Sequence, residues 1–203
     1  MAKPLYLYVV AICLAAACPS SAQQAPRSDT QQMPKGTNVN PDAGMVADFK
    51  KRVDDYAKLR DKAEGAARVE LKEKSQPSEI VTAETSLAQK VREARPGAKR
   101  GDFFTPATQA MFRRLLRPPL TKGPHGADNT AIMKDDAPEP KEVPFRVNAD
   151  YPKEAPLSTV PPDVLAALPQ LPEDMQYRFA GKHLILFDAR ANLIIDFMLN
   201  AMP

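Results

Sequence analysis

Proline limits what this chain can fold into more than any other residue, because its ring fixes the backbone φ angle and its nitrogen has no hydrogen to donate. The chain has 21 prolines in 203 residues, and 12 of them lie between Pro118 and Pro172. A stretch of this kind is poor in regular structure, so it predicts an extended, turn-rich middle. We therefore expect a helical region over 41–118, a linker over 119–142 and a small proline-rich β module over 143–203.

The N-terminus has the pattern of an export signal. Lys3 precedes an uninterrupted apolar run over 5–17, which is shorter than the ~20 residues that a membrane-spanning helix needs. Ser20 and Ala22 place small residues three and one positions before the bond that follows Ala22, where we expect cleavage. The segment 1–22 is thus predicted to be a signal peptide. This prediction makes the protein periplasmic or secreted, with no transmembrane span in the mature chain.

A second interpretation of the leader stays open. The residues Ala15-Ala16-Ala17-Cys18 resemble a degenerate lipoprotein box, in which Cys18 would carry a lipid anchor and begin a membrane-anchored mature protein. Leu14 stands one place earlier than that box prefers, so cleavage after Ala22 is favoured. Because the sequence contains no cysteine after Cys18, the mature chain is expected to have no disulfide and no thiol nucleophile.

Residues 23–40 are rich in Gln, Ser, Pro, Thr and Asn and contain almost no large apolar side chain. A segment of this composition gains too little from burial to offset its ordering entropy, so it is predicted to be a disordered tether. The whole chain is near charge balance, with 28 basic and 25 acidic side chains. This balance argues against nucleic acid as a partner.

Two apolar stripes of helical spacing follow Asn40, a candidate N-cap, and Pro41. The first stripe predicts a helix to about Lys74, and the second predicts a helix between Pro77 and Arg95. The stripes consist of Met45, Phe49, Val53, Tyr56, Leu59, Ala63 and Ala66, then Ile80, Ala83, Leu87, Val91 and Ala94. Since a short Pro-containing turn joins them, the two helices are predicted to form an antiparallel hairpin.

A third helix is predicted to begin after Thr105 as N-cap, with Pro106 in its first turn, and to stop before Pro118. Three arginines lie near its C-terminal end: Arg113, Arg114 and Arg117. Cations at that end stabilise the helix dipole, which explains them without any ligand. The alternative interpretation is a contact site for an anion or an acidic partner.

The C-terminal region carries the strand pattern. Alternating and then near-continuous apolar residues predict three strands, at 176–179, 183–187 and 193–198. The last two must be covered on both faces. Residues 143–147 are a candidate edge strand, and 163–168 are a short helical turn. The predicted fold class is therefore α+β, with a helical hairpin, a third helix and a three- or four-stranded antiparallel β meander.

The same region resembles a small C-terminal module of exported bacterial proteins. The residues that carry the resemblance are Val160-Pro161-Pro162-Asp163-Val164-Leu165, Leu168-Pro169, Leu171-Pro172, Tyr177-Arg178-Phe179-Ala180-Gly181, Leu184-Ile185-Leu186-Phe187-Asp188 and Leu193-Ile194-Ile195-Asp196. This pattern is similar to that of RcnB-type periplasmic proteins of nickel and cobalt homeostasis. The resemblance implies a periplasmic location and a small α+β module, and it implies no reaction. The His-rich tract of a direct metal handler does not occur in this sequence.

The sequence offers few residues for catalysis. His125 and His183 are its only histidines, in a Gly/Pro loop and at the start of a predicted strand. No Gly-x-Ser-x-Gly elbow, phosphate-binding Gly-rich loop or cysteine pattern of a metal site occurs after the leader. Asp188, followed by Asn192, is interpreted as a turn former rather than a calcium ligand. We therefore expect no catalytic residue, no metal and no cofactor.

Three functions remain. The first is a non-catalytic exported protein that binds a protein or a cell-envelope component through the hairpin or the exposed edge of the meander. The second, from the resemblance, is a periplasmic metal or stress homeostasis factor. The third is a hydrolase of an unfamiliar class, which the missing catalytic patterns disfavour.

Overall fold

The computed structural model describes residues 41–67, 76–122, 125–135, 145–151 and 158–202. Residues Val39–Pro203 form one compact unit. Its helices are α1 Pro41–Ala67, α2 Pro77–Ala94, α3 Pro106–Thr121, α4 Gly126–Asp135 and α5 Pro162–Ala166, and its strands are β1 Met175–Ala180, β2 His183–Asp188 and β3 Leu193–Met198. The predicted α+β class is confirmed. The predicted tether and the last turns of the first predicted helix, 68–74, lie outside the described residues.

The apolar stripes determine which faces of α1 and α2 are buried. Phe49, Val53 and Tyr56 of α1 are at most 3% exposed, as the helical spacing predicts. The middle of the α2 stripe, from Ala83 to Val91, is buried, whereas Ile80 is 39% exposed at its start and Ala94 is exposed at its end. Helix α1 packs against α2 and α3. Buried side chains of all three helices belong to one core that also includes side chains of the sheet.

The C-terminal end of α3 differs from the prediction. Thr105 is the N-cap, and its side chain accepts a hydrogen bond from the Thr108 N–H at 3.3 Å. The helix, however, continues through Pro118 and Pro119 to Thr121. The carbonyls of Pro119 and Leu120, which have no donor within the helix at this end, accept hydrogen bonds from side chains of α4.

The predicted linker, 119–142, contains α4, which sequence reasoning missed. Gly126 begins this helix close to the end of α3, where a Cβ would stand 3.1 Å from the Thr121 backbone. Glycine therefore lets the two chain segments approach this closely without a shift of the backbone. Met133, 1% exposed, fixes α4 to the core. Ile132, its other large apolar residue, is 43% exposed, so the helix has no apolar stripe and its pattern resembles that of a linker.

The three strands form an antiparallel meander in the order β1-β2-β3, as predicted. Gly181 and Asn192 adopt positive φ angles of 55° and 48° in the turns that join the strands. The candidate edge strand over 143–147 is wrong where the structure describes it, because 145–147 form no strand. The pairing with β3 occurs instead at Asp150, which forms a bridge with Leu193.

Both faces of the sheet are covered, as its apolar strands require. One face, which includes Phe179, Leu184 and Ile195, belongs to the main core with the helices. The second face packs against the irregular segment 145–151. The helices and the sheet therefore share one core rather than forming two separate modules.

Candidate functional site

Asp188 is a fully buried carboxyl at the end of β2. Its Oδ1 accepts hydrogen bonds from the backbone N–H groups of Arg190 and Ala191, at 2.9 and 3.1 Å. These two bonds close the β2–β3 turn, which confirms Asp188 as a turn former. Its Oδ2 accepts a further bond from the Tyr56 hydroxyl of α1 at 2.6 Å. One side chain therefore closes the turn and also fixes it to the first helix.

Arg60, one helical turn after Tyr56, is the cation of this cluster. Its side chain is 5% exposed, and its guanidinium lies 3.8 Å from Asp188 Oδ1. It also donates to the carbonyl of Glu173, just before β1, at 3.2 Å. Burial, and then the charge of Asp188, raises the pKa of the Tyr56 hydroxyl, which therefore stays a neutral donor. The cluster thus links α1 to the open end of the β1–β2 hairpin, where Met175 pairs with Asp188.

Asp196 is a second fully buried carboxyl, in the middle of β3. Four backbone N–H groups donate to its two oxygens at 2.8–3.2 Å, and they belong to Gly101, Phe103, Phe104 and Phe197. Three of these donors lie in the loop before α3, where Gly101 has a φ of 93° that favours glycine. Burial raises the pKa of the Asp196 carboxyl, and the four N–H groups oppose that rise.

Neither buried carboxyl is placed for acid–base catalysis. A general acid or base must reach a proton of the substrate through a hydrogen bond. The oxygens of Asp188 and Asp196 are occupied by donors of this chain, and neither side chain reaches the surface. Each of the two carboxyls joins a helix or a loop to the sheet.

The three arginines at the end of α3 serve different contacts. Arg113 donates at 3.2 Å to two backbone carbonyls just after β3. Arg114 forms an ion pair with Asp42 of α1. Arg117 is exposed. Two of the three therefore hold neighbouring parts of the chain, and the cluster does not converge on one point where an anion would bind.

The two histidines occupy different elements. His125 is exposed in the turn before α4. His183 begins β2, where its Nδ1 accepts a hydrogen bond from the Asn200 N–H at 3.2 Å and its ring packs edge-on against Phe145. Within the described ranges, no three His, Cys, Asp or Glu side chains group together to hold a metal. The predicted cleavage site at Ala22 and the candidate lipidation site at Cys18 lie outside these ranges.

A groove of about 510 Å³ opens between α5 and β1. None of its lining residues carries a charged side chain, and its walls include Leu165, Leu168 and Met175. Tyr177 closes one side, where its hydroxyl donates to the Pro169 carbonyl at 2.9 Å. Burial raises the pKa of the Tyr177 hydroxyl, so this residue also stays neutral. Leu165 is 42% exposed and presents an apolar surface. We call this feature the α5–β1 groove.

A second cleft, of about 350 Å³, lies between α2 and the start of β3. Its lining mixes apolar and charged side chains. Arg92 spans it, forming an ion pair with Asp150 at 2.7 Å and donating to the Asn148 carbonyl at 2.8 Å. These bonds fix the segment that covers the second face of the sheet. Arg92 and Asp150, two of the charged groups of this cleft, are therefore already occupied by structural contacts.

Neither a family model, a curated protein nor a solved structure matches this chain. The resemblance to RcnB-type proteins therefore stays a prediction. No helix in the described part of the chain is long and apolar enough to cross a membrane.

Sequence reasoning missed both the groove and the role of Asp196. A signal for Asp196 was present, because a single acid within the apolar strand Leu193–Met198 requires nearby hydrogen-bond donors. The groove had no such signal. It forms between α5 and β1, and the spacing of the apolar residues in these two elements does not indicate which side chains are exposed and which are buried.

Proposed function

We propose that this protein is an exported, non-catalytic module that binds a neutral, apolar segment of a partner protein in the α5–β1 groove. Export rests on the leader-like pattern of residues 1–22, with cleavage after Ala22 or lipidation at Cys18. The observation that carries the binding role is the uncharged lining of the groove.

The chemistry of the groove selects its ligand. A charged group placed there would lose water without gaining a counterion, which disfavours charged ligands. Apolar side chains would contact Leu165, Leu168 and Leu171, and the amides of Gln170 and Gln176 supply hydrogen bonds for a peptide backbone. A short, uncharged stretch of polypeptide satisfies both kinds of contact.

The non-catalytic character rests on how the buried polar groups are used. Asp188 and Asp196 are the buried acids of the described residues, and each is occupied by internal donors. The exposed histidine, His125, is separated in sequence from both and shares no hydrogen bond with them. These contacts favour a binding role over hydrolysis.

Peptide display against the immobilised full chain tests the proposal. We expect the enriched peptides to be poor in charged residues, because the groove offers no partner for charge. Synthetic versions of these peptides, measured by fluorescence anisotropy, should lose binding to Leu165→Asp. They should bind Leu199→Asp as they bind the wild type, since Leu199 is 37% exposed and lies outside the groove.

Circular dichroism of both variants checks that each is folded. Enrichment of charged peptides, or equal loss of binding in both variants, would contradict the proposal. Displacement of the peptides by a fatty acid would also overturn it, because the groove would then be a site for acyl chains.

A further inference from the structure

The second face of the sheet has an aromatic layer. Phe187 and Phe197 of β2 and β3 belong to this face, and Phe145 and Tyr151 of the covering segment pack on them. Ring centroids lie 6.0 Å apart for Tyr151 and Phe187 and 5.7 Å apart for Phe145 and Phe197. This layer faces away from the helices that cover the other side of the sheet.

Arginines lie over this aromatic layer. The guanidinium carbon of Arg178 is 4.3 Å from the centre of the Phe187 ring, and that of Arg100 is 5.6 Å from the centre of the Phe197 ring. Both distances are within the range of cation–π contacts. Arg178 belongs to β1 and Arg100 to the loop before α3, so these two cations come from opposite edges of the sheet. Arg146 is exposed beside Phe145. We call Arg100, Arg146 and Arg178 the basic face.

The charge of the basic face is not neutralised within the described part of the chain. None of its three arginines forms an ion pair there, in contrast to Arg92 with Asp150 and Arg114 with Asp42. Arg178 donates only to the neutral side-chain oxygen of Gln176, at 3.1 and 2.9 Å. Cation–π contacts fix the orientation of a guanidinium without removing its charge. The face therefore presents two exposed positive groups, Arg100 and Arg146, and the half-buried Arg178 to the surroundings.

We propose that the basic face binds an anionic phospholipid surface through its phosphate groups. Guanidinium groups bind phosphate oxygens with paired hydrogen bonds, and rings beneath them limit the entropy that binding removes. A membrane surface presents phosphates in a layer, which matches cations spread over one face of a sheet better than a single free phosphate does. The whole chain is near charge balance, so the attraction comes from this local arrangement.

This inference does not rest on the α5–β1 groove. Tyr177 and Arg178 are successive residues of β1, so their side chains point to opposite sides of the sheet. The groove and the basic face therefore lie on different sides of β1 and meet at Gln176, which lines the groove and accepts the hydrogen bonds of Arg178. Leu165→Asp in α5 changes no residue of the basic face, so the two proposals can fail separately.

Vesicle sedimentation with the full chain tests the inference. Vesicles of phosphatidylcholine alone are compared with vesicles that also contain phosphatidylglycerol, and the preference for the anionic vesicles is the quantity measured. Each arginine near an anionic surface contributes on the order of fivefold in affinity. Replacement of all three by glutamine should therefore lower the preference on the order of 100-fold. The preference should also weaken with added salt.

Two matched variants complete the test. The control variant, Lys50→Gln with Lys62→Gln and Arg117→Gln, removes three exposed charges from α1 and α3 and should keep the wild-type preference. Replacement of the three face arginines by lysine keeps the charge but removes the paired hydrogen bonds, so its preference should lie between that of the wild type and that of the glutamine variant.

Thermal unfolding of each variant, followed by circular dichroism, verifies that the fold is retained. Undiminished binding by the glutamine variant of the basic face overturns the inference, and so does an equal loss in the control. A lysine variant that binds no better than the glutamine variant overturns the electrostatic attraction on which the inference rests. Binding to soluble polyglutamate without binding to vesicles would assign the face to an acidic protein instead.

Discussion

Asp196→Asn is expected to destabilise the fold strongly although it changes one side-chain oxygen to an amide group. In the wild type, each oxygen of Asp196 accepts hydrogen bonds from at least two backbone N–H groups. An asparagine must turn its NH₂ group toward one of these sets. If the NH₂ group takes the Oδ2 position, the N–H groups of Phe103 and Phe104 lose their acceptor. If it takes the Oδ1 position, the Phe197 N–H loses its acceptor, and the Gly101 N–H keeps only its 3.2 Å bond to Oδ2.

The size of the effect follows from the one or two donors left unpaired. A buried donor without an acceptor costs about 1–3 kcal/mol, so the loss lies between about 1 and 6 kcal/mol. The amide avoids part of the desolvation that raises the pKa of Asp196, which reduces the loss. We expect a net decrease of about 1–4 kcal/mol in the free energy of unfolding, or about 2–15 °C in Tm for a unit of this size.

Urea and thermal unfolding at neutral pH, followed by circular dichroism, measure this loss. The control is Asp102→Asn in the same loop, where the replaced carboxyl is at the surface and accepts the Lys99 N–H at 3.0 Å. That variant should lose less than about 1 kcal/mol. If Asp196→Asn were as stable as Asp102→Asn, the loop would not depend on the buried carboxyl, and the reasoning would be refuted.

Three further substitutions follow from the same core. Tyr56→Phe removes the hydroxyl that donates to Asp188 and should lower the free energy of unfolding by about 1–3 kcal/mol in urea titration, with an unchanged m-value. The folded state favours the neutral hydroxyls of Tyr56 and Tyr177, as their raised pKa values show. The stability that this preference contributes is fully present below about pH 10, the ordinary pKa of tyrosine. This contribution is lost as pH rises above that value. The free energy of unfolding should therefore fall less steeply with pH above about 10 in Tyr177→Phe than in the wild type, and an equal fall would contradict this. Phe112→Ala, at the centre of the aromatic cluster of the core, should cost about 3–5 kcal/mol in the same urea assay, and a loss under 1 kcal/mol would show that the site collapses around the missing ring.

Periodicity alone was enough to predict most of the regular elements. The spacing of Phe49, Val53 and Tyr56 defines the buried face of α1, and the turn residues Gly181 and Asn192 separate the strands at the right places. These signals are local, since each depends on residues a few positions apart. For the same reason α4 was missed, because it is stabilised by packing on α3 and not by an apolar stripe of its own.

The candidate surfaces depend on residues that are far apart in the chain. Asp188 could be predicted as a turn former from its neighbours, but its partner Tyr56 lies 132 positions away. Arg100 and Phe197 likewise meet only because the loop before α3 is fixed on β3. A single sequence contains no pattern that pairs such residues, so their contacts appear only when the chain is folded.

These long-range contacts also determine how the functions should be tested. Removal of α1 would leave Asp188 without the Tyr56 hydroxyl and the Arg60 guanidinium, and removal of the sheet would leave the loop donors of Asp196 unpaired. Loss of one partner of a buried charged group costs several kcal/mol, which is a large part of the stability of a domain. Deletion of either part would therefore abolish binding by unfolding the protein, whichever surface binds the partner. Single substitutions at exposed positions, such as Leu165 in the groove and Arg146 on the basic face, separate the two surfaces while the shared core stays intact.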